Sequence, residues 1–281
     1  MENEENAKTA LITGATDGVG RMVAERLGLT GMRVLVHGRD RARGEGVVAA
    51  IEAAGGAAEF LAADFSSLVE VRRLAGAVRH ATDRLDLLVN NAGIGSGGAH
   101  GTRQTSADGY ELRFAVNYLA PFLLTHLLSP LIRKSAPARI VNVASLGQQA
   151  IDFADVMLTR GYSGTRAYRQ SKLAQVMFTI DLSRALDGTG VTVNALHPAT
   201  YMATTMVRQS GITPMSSVEE GAEAILKLAT SAEIAGRGGL FFNGQREARA
   251  DAQAYDAKAR ARLRAISLEL AGLPAVKAAE A

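Results

Sequence analysis

Tyr168 and Lys172 lie four residues apart in a run, Thr165 to Leu186, whose composition suits a helix, so both side chains project from one face. A cation beside a phenol favours the phenolate and lowers a hydroxyl pKa that otherwise lies near ~10. That turns a tyrosine into a general acid or base near neutral pH. Alone, such a pair more often decorates a solvated helix face. Two further polar residues stand where chemistry is possible. Ser145 ends a strand-like run from Arg139 to Ala144, and Asn117 sits inside a helical stretch from Ser106 to Lys134 with Pro121 as its expected kink. Taken singly, these read as a turn serine and as a solvated or capping amide.

The elements that must position these residues follow from the hydrophobic pattern. Thr9 to Thr13 reads as a buried strand, running into Gly14-Ala15-Thr16-Asp17-Gly18-Val19-Gly20 and an amphipathic helix to about Leu29. Strand, glycine-rich turn and helix in that order suit a phosphate. The glycines admit close backbone approach, and the helix N-terminus offers N–H groups and a positive dipole end. Gly14, Thr16, Asp17, Gly18, Val19 and Gly20 are the expected contacts; the alternative is a tight turn and nothing more.

A second strand, Met32 to Val36, ends in His37-Gly38-Arg39-Asp40. In a dinucleotide fold this end meets the adenosine ribose. A guanidinium there suits a 2′-phosphate, so Arg39 favours NADP(H) over NAD(H), with Asp40 one residue on and pointing elsewhere. Helix Arg41–Ala54, strand Ala57–Ala62, a helix from Ser66 to about His80 and strand Leu85–Asn90 continue the alternation. This pitch implies βαβ units, a parallel sheet and helices on both faces. Asp64 and Phe65 follow the third strand, within reach of an adenine. Asn90-Asn91-Ala92-Gly93 after the fourth makes a turn that a cofactor can approach, or simply a tight turn.

Beyond the glycine-rich loop Ile94–Gly101 and the long helix lies a segment from Leu146 to Ala167 that reads as a loop over the site. Strand Val191–Leu196 leads to His197-Pro198-Ala199-Thr200. Residues 199–217 lack periodicity and suit a lid, from which Thr204 is the expected cofactor contact. A helix over Glu219–Thr230, a short strand over Gly239–Asn243 and a terminal helix over about 248–270 complete a single domain spanning residues 1–281. The terminal helix, with Tyr255, Leu263, Ile266 and Leu270 on its apolar side, is expected to dock on that domain.

The 281-residue chain holds 31 Lys and Arg against 28 Asp and Glu, a net charge of +3. With neither a basic stripe nor a reading motif, nucleic acid is not an expected partner. The chain has no cysteine, which removes disulfides and thiolate chemistry and fits a reducing cytoplasm. Its five histidines, His37, His80, His100, His126 and His197, lack metal-ligand spacing and read as surface or packing residues. No metal is expected. The polar start Met1–Asn6 is unlike a signal peptide, and no apolar run approaches the ~20 residues of a membrane helix. A cytoplasmic protein without membrane insertion is the expectation.

Thr13-Gly14-x-x-x-Gly18-x-Gly20, Asn90-Asn91-Ala92-Gly93, Ser145 and Tyr168-x-x-x-Lys172, in that order over nearly the whole chain, resemble the short-chain dehydrogenase/reductase family. Arg39, the long Ser145–Tyr168 interval and the tail are similar to its retinol dehydrogenase-like members. The resemblance implies a Rossmann-type, doubly wound, three-layer α/β/α domain. It also implies an NADP(H)-dependent oxidoreductase interconverting an apolar ketone or aldehyde and its alcohol, and pairing through the two long helices into a homodimer or homotetramer. Ser145 would polarise the carbonyl and Tyr168 would donate the proton. Lys172 would hold the nicotinamide ribose and keep Tyr168 acidic, and Asn117 would hold a relay water.

Two residues depart from the pattern. Asp17 stands where NADP-using relatives often have a basic or neutral polar residue, and Pro198-Ala199 replaces Pro-Gly. Ile94, Leu146, Tyr162, Tyr201, Met202 and Met206 are the loop residues expected to give the site an apolar lining. Reduction of an activated C=C bond is an alternative chemistry. A cofactor-binding sensor or scaffold without turnover is another, and it predicts loss of one of the four catalytic residues, all of which are present.

Overall fold

A computed structural model describes residues 7–97, 102–209 and 211–274. Residues 98–101 of the Ile94–Gly101 loop, His100 among them, Ser210 of the lid, the Met1–Asn6 start and residues 275–281 lie outside the described residues. The elements are β1 (Thr9–Ile12), α1 (Gly18–Gly28), β2 (Arg33–Gly38), α2 (Arg41–Ala53), β3 (Ala57–Ala62), α3 (Leu68–Ala81), β4 (Leu87–Asn90), α4 (Leu112–Phe114), α5 (Ala120–Lys134), β5 (Ala138–Val143), α6 (Gly164–Ala185), β6 (Val191–His197), α7 (Thr205–Gln209), α8 (Val218–Thr230), β7 (Phe241–Asn243), β8 (Arg246–Ala248) and α9 (Ala257–Leu270). The sheet order is β3-β2-β1-β4-β5-β6-β7-β8. All pairs are parallel except β7–β8.

The strands alternate their side chains between two apolar layers, as their pleat requires. Leu11 and Leu35 face the layer built with Leu74, Leu88, Tyr118, Phe122 and Leu173. Ala10, Ile12 and Val36 face the other, with Val23, Leu27, Val47 and Ile225. Helices therefore cover both faces. The strand order reverses between β1 and β4, and a ligand crevice forms at such a switch point outside the carboxyl strand ends.

Three expectations change. The long helix starts at Leu112, not Ser106, because residues 106–111 close a turn through Gly109 (φ +84°) with Thr105 bridging Glu111. Its irregularity is a π-turn, Ala115–Leu119, joining α4 to α5. Pro121 has no N–H to give the Asn117 carbonyl four residues earlier, and the wider turn accommodates that. The stretch Leu112–Lys134 is long and apolar enough to span a membrane, contrary to the sequence reading, yet 72% of its most apolar window is buried inside the fold.

The terminal helix is also shorter than expected. Residues 246–248 form β8, returning from β7 through Gly244 (φ +57°) and Gln245. Asn243-Gly244 was the available hairpin signal. Asp256 then caps α9 by accepting from the Lys258 and Ala259 N–H groups. The helix docks as expected, but through Leu263, Ser267 and Leu268 and not Tyr255, which is exposed. Ser267 meets the Tyr118 hydroxyl at 2.7 Å, and Arg260 and Arg264 meet Asp181 of α6.

Candidate functional site

The glycine turn is locked at the switch point by Thr13. Its hydroxyl accepts from the N–H groups of Asn91 (2.9 Å) and Ala92 (3.0 Å) and donates to the Val89 carbonyl. Asn91, expected to face a cofactor, spends its side-chain amide on the carbonyls of Thr13 (2.9 Å) and Gly14 (3.0 Å). It shapes the loop and does not project from it. Gly14 (φ +65°) has room for no side chain: a Cβ would sit 2.8 Å from Ala92 Cα. Gly18 (φ +53°) lies under Thr204, whose Cγ2 would be 3.0 Å from a Cβ there. Thr204 of the lid thus packs its methyl group over the glycine loop, while its hydroxyl accepts from the Val207 N–H at 3.4 Å.

Asp17 caps α1, accepting from the Gly18 N–H at 2.7 Å. The helix N-terminus therefore already holds a carboxylate, the kind of anion its dipole favours. Thr16, Asp17, Arg21, Arg43, Gly46 and Thr205 line a cavity of about 390 Å³ beside it. Val19 is buried at the start of α1 and offers only its backbone.

At the adenosine end, Arg39 is exposed and reaches Asp64 only at 3.9 Å. Asp40 is confirmed as pointing elsewhere: it caps α2 by accepting from the Arg43 N–H. Arg43 lies 3.9 Å from Asp17 and was missed from the sequence. The available signal was its position one turn into the helix after Arg39. Asp64 accepts from Ser66 N–H at 2.8 Å. Phe65 does not line an open surface. It is buried and stacked on His37 with ring centroids 4.5 Å apart.

His37 is therefore more than packing. Nδ1 accepts from the Gly14 N–H at 3.3 Å, which leaves Nε2 protonated to donate to the Ala63 carbonyl at 3.2 Å. Burial pushes its pKa down to about 4, against the weaker raising effects of the Ala63 bond and Asp64. A histidine held neutral in the fold stabilises fully above its unfolded pKa of ~6.5, and that contribution is lost as pH falls toward 4. Urea unfolding of the protein and of His37→Gln at pH 7 and pH 4.5 is expected to differ in pH dependence by up to about 3 kcal/mol. Identical dependence in both would sink the assignment.

The four catalytic candidates converge at the ends of β4 and β5. Ser145 is buried and its Oγ accepts from the Gly147 N–H at 3.0 Å; a Cβ on Gly147 would lie 3.4 Å from that Oγ and 3.8 Å from Tyr168 Cε1, so the two side chains meet there. Tyr168 is pushed above the usual phenol value by burial, with the Ser145 bond pulling the other way. Lys172, expected to keep Tyr168 acidic, does not touch its hydroxyl. Nζ lies 5.9 Å from the Tyr168 ring centre and donates instead to the Val143 carbonyl and to Gln175 Oε1, each at 2.9 Å. Burial lowers the Lys172 pKa to about 7.

Asn117 is fully buried and is not the solvated amide its helix position implied. Oδ1 accepts from Ile94 N–H at 2.7 Å, and Nδ2 donates to the Ile94 carbonyl and to Ser171 Oγ. Ser171 in turn donates to the Tyr168 carbonyl at 2.7 Å. The side chain thus pins the loop after β4 to α6. Gly93 completes this floor, since a Cβ there would lie 3.1 Å from Asn117 Oδ1 and 3.5 Å from Lys172 Nζ.

Leu146, Tyr201 and Met206 are exposed at the rim, Tyr201 with φ +45°. Tyr162, expected in the apolar lining, lies elsewhere. Its hydroxyl donates to buried Glu111 (3.0 Å) and accepts from Arg113 (2.8 Å). Pro198 and Ala199 border a second cavity of about 440 Å³ with His197 and Glu220.

These residues fit a dinucleotide: a cramped glycine turn leading into a helix, two exposed arginines at the ribose end and a Ser–Tyr–Lys group at the other. The comparisons agree. The short chain dehydrogenase family profile matches residues 8–214. Human retinol dehydrogenase 13 is 36% identical over 95% of this chain and 86% of its own, and mouse polyprenol dehydrogenase is 37% identical over 94% and 84%. The Pseudomonas aeruginosa RhlG/NADP active-site complex superposes with a TM-score of 0.69 at 29% identity, covering 85% of this chain and 95% of that one. The chain belongs to the short-chain dehydrogenase family, as an NAD(P)-dependent oxidoreductase similar to the retinol dehydrogenases.

Proposed function

We propose that the protein interconverts an apolar ketone or aldehyde and its alcohol with NADP(H). The observation that carries this reading is the half-buried Tyr168 ring brought beside Ser145 over Gly147, with Lys172 one helical turn on. A bound nicotinamide dinucleotide supplies or accepts the hydride. The backbone of the Gly14–Gly20 turn and the Thr204 hydroxyl would hold its phosphates, and Lys172 its ribose.

Ser145 donates to the carbonyl oxygen as negative charge develops there. Tyr168 gives that oxygen its proton. Burial keeps the phenol protonated at neutral pH, which suits proton donation and hence reduction. Alcohol oxidation needs the phenolate, so its rate is expected to rise with pH where reduction does not. The exposed apolar rim, Leu146, Tyr201 and Met206, supports an apolar substrate, as do the names of the two dehydrogenase relatives.

NADP(H) preference rests on Arg39 and Arg43, both solvent-facing, Arg39 3.9 Å from Asp64 and Arg43 3.9 Å from Asp17 and 3.5 Å from Asp40, with the RhlG/NADP neighbour in support. Arg39→Ala/Arg43→Ala is expected to raise KM for NADPH roughly 10- to 100-fold, the worth of a charge-assisted hydrogen bond. KM for NADH should stay near its original value. Equal loss with both cofactors, read at 340 nm, would refute the phosphate role.

Pairing through α6 has little surface to use. Every residue from Gln170 to Ile180 is buried, and α9 lies along the helix through Asp181. A homodimer or homotetramer built on α6 would require α9 to move.

A further inference from the structure

We propose that Gln175 is a positioning residue for Lys172: its side-chain carbonyl fixes the Lys172 ammonium and sets the pH range over which that amine stays charged beside Tyr168. This rests on the assignment of Tyr168 and Lys172 made above. Gln175 lies three residues along α6 from Lys172, so the two share a face. It is 2% exposed, and Oε1 accepts from Lys172 Nζ at 2.9 Å. The second acceptor is the Val143 carbonyl at the end of β5, which no side-chain substitution removes. Gln175 is therefore the tunable half of the clamp.

The orientation of the amide is dictated by its neighbour. A lysine ammonium only donates, so the amide must turn its oxygen to Nζ. Its Nε2 is left pointing away, buried and with no partner in the protein. A leucine or methionine would fill this place without that desolvation cost. Stability therefore does not account for a glutamine here, whereas holding the lysine does. The helix backbone beneath is braced as well: Thr179 donates to the Gln175 carbonyl at 2.8 Å and accepts from Asn142 of β5 at 2.8 Å.

The groups that face Lys172 are few. Tyr168 and Gln175 come from its own helix, the Val143 carbonyl from β5, and Gly93 and Asn117 from the loop and helix opposite. From β6 comes His197, itself held down to about 4 by burial and by the Lys172 charge. Among the described residues no carboxylate pairs with Lys172, which is why burial alone governs it. A neutral acceptor such as Gln175 holds the ammonium without locking its charge.

The test combines 13C-NMR titration of the lysine side chains, with Lys172 assigned by its loss in Lys172→Met, and pH–kcat profiles of the same proteins. In Gln175→Glu a carboxylate meets Nζ, and both the Lys172 titration and the alkaline limb of kcat are expected to move up by ~1–3 pH units. In Gln175→Met one acceptor is lost, and both are expected to move down, with kcat falling more than the substrate KM changes. Titration and profile unchanged in both variants would overturn the proposal. If instead Lys172→Met keeps full activity, the catalytic reading of Lys172 fails, while the NMR titration still reports whether Gln175 controls the amine.

Discussion

Replacing Tyr168 with phenylalanine is expected to lower kcat by roughly 10²- to 10⁴-fold, the range a positioned general acid contributes. The ring keeps its packing in this variant and only the hydroxyl of a half-buried side chain is deleted, so the fold loses little. Cofactor affinity, read by fluorescence titration, and the thermal midpoint should therefore stay close to those of the parent. A loss of less than tenfold with cofactor bound normally would remove Tyr168 from the chemistry. A sensor or scaffold would show no change at all. Burial raises the Tyr168 pKa, so the residual rate of the variant should also lose the pH dependence expected for alcohol oxidation.

Arg113→Met is expected to cost about 3–5 kcal/mol in urea unfolding, because it strands Glu111 as an unpaired buried carboxylate. Arg113 and Glu111 are 4% and 1% exposed, with Nη1 and Oε1 3.5 Å apart. Arg113 Nε also donates to the Gly95 carbonyl at 3.1 Å, and Glu111 Oε2 accepts from the Phe114 N–H at 2.7 Å. With Tyr162 between them, the pair ties the loop after β4 to the segment leading into α6. Asn117, one turn beyond Arg113, grips the same loop at Ile94.

Charge stranding and lost packing are separable. Adding Glu111→Gln to Arg113→Met removes the buried charge and should recover part of the stability, a coupling that a double-mutant cycle reads directly. If the double variant is as unstable as the sum of the singles, charge is not the cause. The single variant should also lower kcat more than it changes cofactor affinity, since it loosens the segment that carries Tyr168 and leaves the glycine turn untouched.

The sequence by itself determined the alternation of strands and helices, because the buried faces repeat with the periods of the two elements. It also determined that Ser145 and Arg39 sit at strand ends and that Tyr168 and Lys172 share a helix face. Each of those facts is local, set by residues a few positions apart. Only the tertiary structure decided which partner each long polar side chain finds. Lys172 reaches Val143, 29 residues away, and not the Tyr168 hydroxyl; Asn91 reaches Gly14, 77 away; Tyr162 leaves the pocket for Glu111, 51 away. His37 and Arg43 gained their places at the cofactor end in the same way. Periodicity reports which face a residue occupies. In a low-dielectric interior every buried polar atom must then be matched by whatever packing brings near, and that match is settled by contacts far apart in the chain.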